Sequence, residues 1–298
     1  MFSMYKLKGI LFVALGAASY GLLATMVKVA NLQGLSTAFL TFYQYFLGFL
    51  VLSLWAVKVG RKHQVSFRKG DKRSLILFGS SLGFTSSLYY LSIQYVPVSV
   101  GIILLMQTIW MGVAVELLIS RQKPQALKII GALVVLIGTF LAVDALDNLD
   151  ELNLTGVFYG VAAAVSFTVT LTATNRIATH LPNIIRSQYM VLGGVLAVLL
   201  FWNINLISPD ILNPKTLAFG LFLAVFGTLI PPIMFNKGFP IIGIGLGSIL
   251  TAIEIPVSIL SANWLLDEQL KMIQWLGVGI IIIAVVIINY RHLNKKEV

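Results

Sequence analysis

Long apolar runs separated by short polar stretches make up nearly the whole chain. Measured against the ~20 residues that a helix needs to cross a bilayer, ten runs qualify. They cover 9–29, 37–59, 74–93, 98–119, 126–143, 154–174, 184–203, 216–235, 241–265 and 272–290. The connections between them are short, and none is long enough to fold as a separate soluble domain. The first run follows Lys6 and Lys8 and contains Ala17-Ala18-Ser19, as a cleaved signal peptide would. It is longer than the 7–15-residue core of such a peptide, so it is read as a retained helix. The predicted fold class is an all-α integral membrane protein of about ten transmembrane helices.

Composition agrees. Hydrophobic residues make up 58% of the 298 and charged residues 11%, against about 25% charged in soluble domains. The net charge of +10 sets topology and does not mark a nucleic-acid binder. With an N-terminus in the cytoplasm, all but Lys28, Lys215 and Lys271 of the 21 Lys and Arg fall on the cytoplasmic side. Asp144, Asp147, Asp150, Glu151, Asp210, Asp267 and Glu268 fall on the other, as does Asn148. The expectation is a multi-pass protein of the inner or plasma membrane with both termini cytoplasmic. Trp55, Trp202, Trp264 and Trp275 stand near span ends, where interfacial anchors belong. Cys is absent, and His63, His180 and His292 are far apart, so no metal site or cofactor is expected.

The second half of the chain repeats the first. Gly9 in Gly9-Ile10-Leu11-Phe12 corresponds to Gly156 in Gly156-Val157-Phe158-Tyr159, an offset of 156 − 9 = 147. At that offset Ala17 meets Ala164, Ser19 meets Ser166, Tyr20 meets Phe167 and Thr25 meets Thr172. Gly131 meets Gly277 at 146. The expected halves are 1–146 and 147–298, with five spans each. An odd number of spans reverses the second half in the membrane, so the repeats are inverted. Such folds hold substrate near the midplane, between the halves.

One carboxylate interrupts the ninth run near its middle: Glu254, in Thr251-Ala252-Ile253-Glu254-Ile255-Pro256. An acid at that depth costs roughly 2.5–3.5 kcal/mol on insertion scales and faces a bundle interior or a wet cavity. The bland alternative is an acid that pins two helices together. Burying an ionised carboxyl is costly, so Glu254 is expected either to be protonated in step with substrate binding or to be held ionised by an amine-bearing substrate. Other polar residues lie within spans: Gln107, Thr108 and Trp110 in the fourth, Tyr90 in the third, Ser19 in the first, Ser166 in the sixth and Asn236 in the eighth. These are the candidate cavity residues, although Ser and Thr in membrane helices serve more often as packing glue. Pro231, Pro232 and Pro256 remove amide donors and are candidate helix kinks. Glu116 and Lys28 are read as snorkelling to interfaces.

The chain resembles the drug/metabolite transporter superfamily, EamA type. The resemblance covers essentially all of it: two five-helix halves, each opening with a Gly/Ala/Ser helix. The sharpest match is Ser248-Ile249-Leu250-Thr251-Ala252-Ile253-Glu254 followed by Asn263-Trp264-Leu265-Leu266-Asp267-Glu268-Gln269. The family pattern is a Glu-Pro step and then a Leu-Leu-Gly-Glu turn. Here Ile255 separates Glu254 from Pro256, and Asp267 replaces the glycine. In the first half Thr108 stands opposite Glu254, and Arg121-Gln122 replaces the Gly-Glu turn. The resemblance implies a secondary transporter of small organic metabolites, often an exporter of amino acids, working as a monomer or homodimer. Efflux of lipophilic cations and facilitative uptake are the alternatives within that class. No Gly-x-x-x-x-Gly-Lys-Ser/Thr loop for ATP is present. No cluster of acids, histidines or Ser/His pairs lies at one membrane face, so a membrane enzyme is not expected.

Overall fold

The computed structural model describes residues 2–63, 65–96, 98–120, 126–142, 153–206, 213–266 and 271–294. Asn148, the Arg121-Gln122 and Asp267-Glu268-Gln269 turns, and Asp144, Asp147, Asp150, Glu151 and Asp210 lie outside the described residues. In the first half the helices are α1 (Phe2–Leu32), α2 (Thr37–His63), α3 (Asp71–Tyr95), α4 (Val98–Leu105), α5 (Thr108–Ser120) and α6 (Ala126–Ala142). In the second they are α7 (Leu154–Arg176), α8 (Asn183–Trp202), α9 (Pro214–Leu223), α10 (Ile230–Ile242), α11 (Ile244–Leu250), α12 (Glu254–Leu266) and α13 (Met272–Asn294). Among the described residues, eight helical stretches are long and apolar enough to cross a bilayer, and two shorter apolar helices, Ala126–Ala142 and Met272–Ile288, complete the ten.

The packing has the symmetry of an inverted repeat. Helix α1 packs on α10 and α3 on α7; α2 packs on α9 and α3 on α8. Exchanging each span for its counterpart in the other half converts α1–α10 into α7–α3, and α2–α9 into α8–α3. The fourth and ninth spans meet through α5 and α11, and the fifth and tenth through α6 and α13. These two contacts map onto themselves.

The fourth and ninth spans depart from the continuous helices expected over 98–119 and 241–265. The fourth breaks between α4 and α5, at Met106 and Gln107. The ninth breaks into a 3₁₀ turn at Thr251–Ile253. The two breaks are equivalent under the repeat. At the first, the Gln107 amide bonds to Leu104 O and the Ile109 amide to Met106 O, both three residues back. The Leu105 carbonyl thereby loses its helical donor.

Pro231 and Pro232 stand inside the eighth span, which is helical from Pro214 to Ile242, and Pro256 lies in the first turn of α12. Just before Pro231 the span widens into a π turn over Ala224–Leu229, in which the Ile230 amide reaches back to Val225 O. The carbonyl of Phe226 would next need an amide at Pro231. Ser19 supplies that donor, its hydroxyl bonding Phe226 O at 2.6 Å.

Two residues sit deeper than their sequence positions suggested. Trp202 is buried, its indole N–H donating to Ser87 Oγ at 3.1 Å. Glu116 is paired with Lys128, whose ammonium lies 2.8 Å from both carboxylate oxygens. The pair leans on the junction of α10 and α11, where Gly243 has φ 82° and its missing side chain leaves room for Glu116 Oε1.

Arg186, counted only as a cytoplasmic-side cation, is fully buried in the first turn of α8. Its Nε donates to Ile177 O at 3.0 Å, Nη1 to Asn236 O at 2.8 Å and Nη2 to Thr174 O at 2.6 Å. Each acceptor is a carbonyl that its own helix leaves free. Thr174 and Ile177 lie at the end of α7, where carbonyls carry partial negative charge. Asn236 lies four residues before Pro240, which has no N–H to offer.

Candidate functional site

A cavity of about 40 Å³ lies in the bundle where α12 begins. That is room for a water molecule or two. Tyr20, Leu23 and Ala24 of α1 line it, with Leu82, Thr85, Ser86, Tyr89 and Tyr90 of α3. Leu105, Phe167 and Glu254 complete the wall. The lining draws on both halves and on both broken spans. Glu254 is the only lining residue with a full charge when ionised, and it is 9% exposed. It is also the first residue of α12, directly after the 3₁₀ turn.

The backbone at the start of α12 lies directly against α1. A Cβ on Gly21 would stand 2.5 Å from the Glu254 carbonyl oxygen and 2.8 Å from Val257 Cβ. Only a glycine lets α1 approach the start of α12 so closely. On the other side of the pseudo-symmetry the corresponding pair is Thr108 and Thr168. Their hydroxyls bond each other at 2.8 Å, and Thr168 also bonds Ala164 O. One break is therefore closed by a Thr–Thr hydrogen bond, and the other is open to a cavity.

Toward the end of the bundle that holds the α10–α11 junction, the cavity is floored by aromatic rings. Tyr20 meets Phe167 and Phe235 edge-on, with centroids 6.0 and 5.7 Å apart. Phe235 meets Phe239 at 5.3 Å in the same manner.

The structure gathers Glu254 and Tyr90 into this lining, and leaves the other expected residues elsewhere. Tyr90 donates to Gln44 Oε1 at 3.2 Å. Gln107 lies at the break but not in the lining. Its amide nitrogen caps Ile103 O at 3.0 Å, and its amide oxygen accepts from the indole N–H of Trp110 at 2.9 Å. Trp110 is 47% exposed on the outside of the bundle. Thr108 is spent on Thr168, Ser19 on Phe226 O, and Ser166 on Ser81 O at 2.9 Å. Asn236 is buried beside Arg186, donating to Ser187 Oγ at 3.0 Å.

The comparison with known proteins now decides the class. The model of the EamA-like transporter family matches residues 7–143 and again 154–290. The chain belongs to the EamA-like transporter family. The two matched stretches are 147 positions apart at each end, the same spacing as the Gly9–Gly156 correspondence. The chain is also similar to the uncharacterized inner membrane transporter YicL of Salmonella typhimurium, 26% identical over 287 residues that cover 95% of each protein. A protein of known crystal structure superposes on 95% of this chain and 99% of its own, with a TM-score of 0.73 at 14% identity. At that identity the likeness carries the fold alone. This EamA-like protein is thus a membrane transporter of small molecules.

Within the EamA-like bundle, two residues near the site went unremarked as site residues in the sequence. Gly21 lets α1 approach the start of α12, and its only signal was its position one residue after the repeated Ser-aromatic pair. Phe235 was one apolar residue among many until Tyr20 was placed against it.

Proposed function

We propose that this protein exports small organic metabolites that carry an amine, amino acids among them, across the inner membrane. The observation that carries the reading is the single carboxylate in an otherwise aromatic, aliphatic and hydroxyl-lined cavity. Such a wall offers a counter-ion to a cationic head and apolar contact to the rest of a small molecule. The halves 1–146 and 147–298 rock about the cavity in alternating access. Both termini lie in the cytoplasm, in keeping with the distribution of Lys and Arg. The cavity then opens toward the outside above Glu254, and the rings of Tyr20, Phe235 and Phe239 close the cytoplasmic side. Glu254 exchanges a proton for the substrate amine, which couples export to the proton gradient.

The absence of any Lys, Arg or His from the lining favours a second reading in the same class, efflux of lipophilic cations. Counterflow in proteoliposomes, run with and without a pH gradient on amino acids and on lipophilic cations, separates the two. The expected result is saturable transport of amine-bearing metabolites, driven by the gradient in wild type. Glu254→Gln should reach the membrane folded and lose the pH dependence. Unchanged pH dependence in a well-folded Glu254→Gln protein reduces Glu254 to a structural residue. Transport by wild type that ignores the gradient makes the protein a facilitative carrier.

A further inference from the structure

Tyr89 brings a buried hydroxyl to the cavity that no group among the described residues bonds. It is 6% exposed and lines the cavity. Two neighbouring phenols differ. Tyr90 is spent on Gln44, and Tyr45 donates to Leu82 O at 2.6 Å and lies 2.8 Å from Ser86 Oγ. Buried polar groups in native proteins are nearly always paired, and each exception needs an explanation. The Tyr89 ring lies beside Gly101 of α4 and beside the Tyr90 ring, with centroids 6.0 Å apart.

We propose that Tyr89 is the second binding point of the cavity. Glu254 takes the substrate's ammonium group, and the Tyr89 hydroxyl donates to an acceptor oxygen on the same molecule. The cavity thereby selects amines that carry a carboxylate, carbonyl or hydroxyl oxygen over plain lipophilic amines. The two groups share a void of about 40 Å³, little more than the ~30 Å³ of one water in the liquid. The void must widen as the halves rock before an amino acid can reach both groups. The proposal rests on the reading of Glu254 as the amine's counter-ion.

The test measures half-saturation in proteoliposomes for matched pairs: each common amino acid against the amine obtained by removing its carboxylate. Wild type, Tyr89→Phe and Glu254→Gln are compared, with gel filtration to confirm folding. Phenylalanine keeps the ring and its packing on α4. For at least one pair, wild type should prefer the amino acid. Tyr89→Phe should weaken that amino acid roughly ten-fold, the loss of one hydrogen bond, and leave its amine unchanged. A wild type that prefers no amino acid over its amine overturns the proposal, as does a Tyr89→Phe effect equal on both members. Glu254→Gln reports on the other anchor. If it abolishes transport of both members while Tyr89→Phe changes nothing, only the Tyr89 assignment fails. If it spares both, the counter-ion reading fails and this proposal goes with it.

Discussion

Replacing Arg186 by methionine should destabilise the second half by an amount that Pro240 controls. The guanidinium serves three carbonyls, Thr174 O, Ile177 O and Asn236 O, at 2.6–3.0 Å. Methionine fills much of the same space and donates to none of them. Each buried acceptor left without a donor costs about 1–3 kcal/mol. Relief from burying a cation works in the opposite direction. We take the low end for each carbonyl, which makes Arg186→Met about 3 kcal/mol less stable. Lysine is a poor substitute, because one ammonium cannot reach three acceptors with the planar fork of arginine.

Pro240→Ala isolates one of the three bonds. In wild type Asn236 O already accepts from Arg186, so a new amide at position 240 adds little there. In Arg186→Met the same amide gives Asn236 O its only donor and should recover about 1 kcal/mol. The coupling of the two substitutions is then about 1 kcal/mol, well within the range a double-mutant cycle resolves. Thermal unfolding in detergent reads it as a difference of roughly 2–4 °C between the two backgrounds. Equal shifts from Pro240→Ala in both backgrounds would show that Arg186 does not stand in for the missing amide. A melting point for Arg186→Met at the wild-type value would refute the clamp altogether.

Two further predictions follow from the cavity and the charge pattern. Gly21→Val pushes a branched side chain against Glu254 O and Val257; overpacking of this kind costs about 1–3 kcal/mol, and the variant should insert in the membrane yet lose substrate binding, so full transport by it would show that α1 can retreat from α12 at no cost. In intact cells an impermeant maleimide should label a cysteine at 148 directly and a cysteine at 70 only after permeabilisation; the chain has no native Cys to confuse the reading, and the reverse pattern would invert the proposed topology.

The spans, the repeat and the importance of position 254 could be read in the sequence because each is a one-dimensional signal. A charge inside an apolar run stands out whatever surrounds it. The breaks could not be read the same way. Residues 98–119 form an uninterrupted apolar run, and Gln107-Thr108 is the only polar step in its middle. Depth and direction are also separate questions. Gln107 lies at the expected depth, but the break lets its own side chain cap Ile103 O, and the amide is consumed locally. Arg186 stands inside the run 184–203 and was counted only as a cytoplasmic-side cation, whereas its side chain reaches sideways between α7 and α10. The signal was present in Asn236-Lys237-Gly238-Phe239-Pro240: a proline inside a helix frees the carbonyl four residues back, and a buried free carbonyl requires a donor from elsewhere.

The two halves share a fold, and the residues they place at their two breaks differ in a way that locates the cavity. Both broken spans release backbone groups at equivalent points, and both face the first helix of the opposite half. On one side the sequence places Thr108 against Thr168, and two hydroxyls bond across the gap at 2.8 Å. On the other, Gly21 meets only the Glu254 backbone carbonyl and Val257, and Glu254 lines the cavity. A hydrogen-bonded threonine pair satisfies itself and holds its helices together. A carboxyl group in a cavity needs water, a proton or a cation to offset its burial. The symmetric scaffold therefore supplies two potential sites and the sequence fills one. What remains is an acidic cavity on one side of an otherwise two-fold frame.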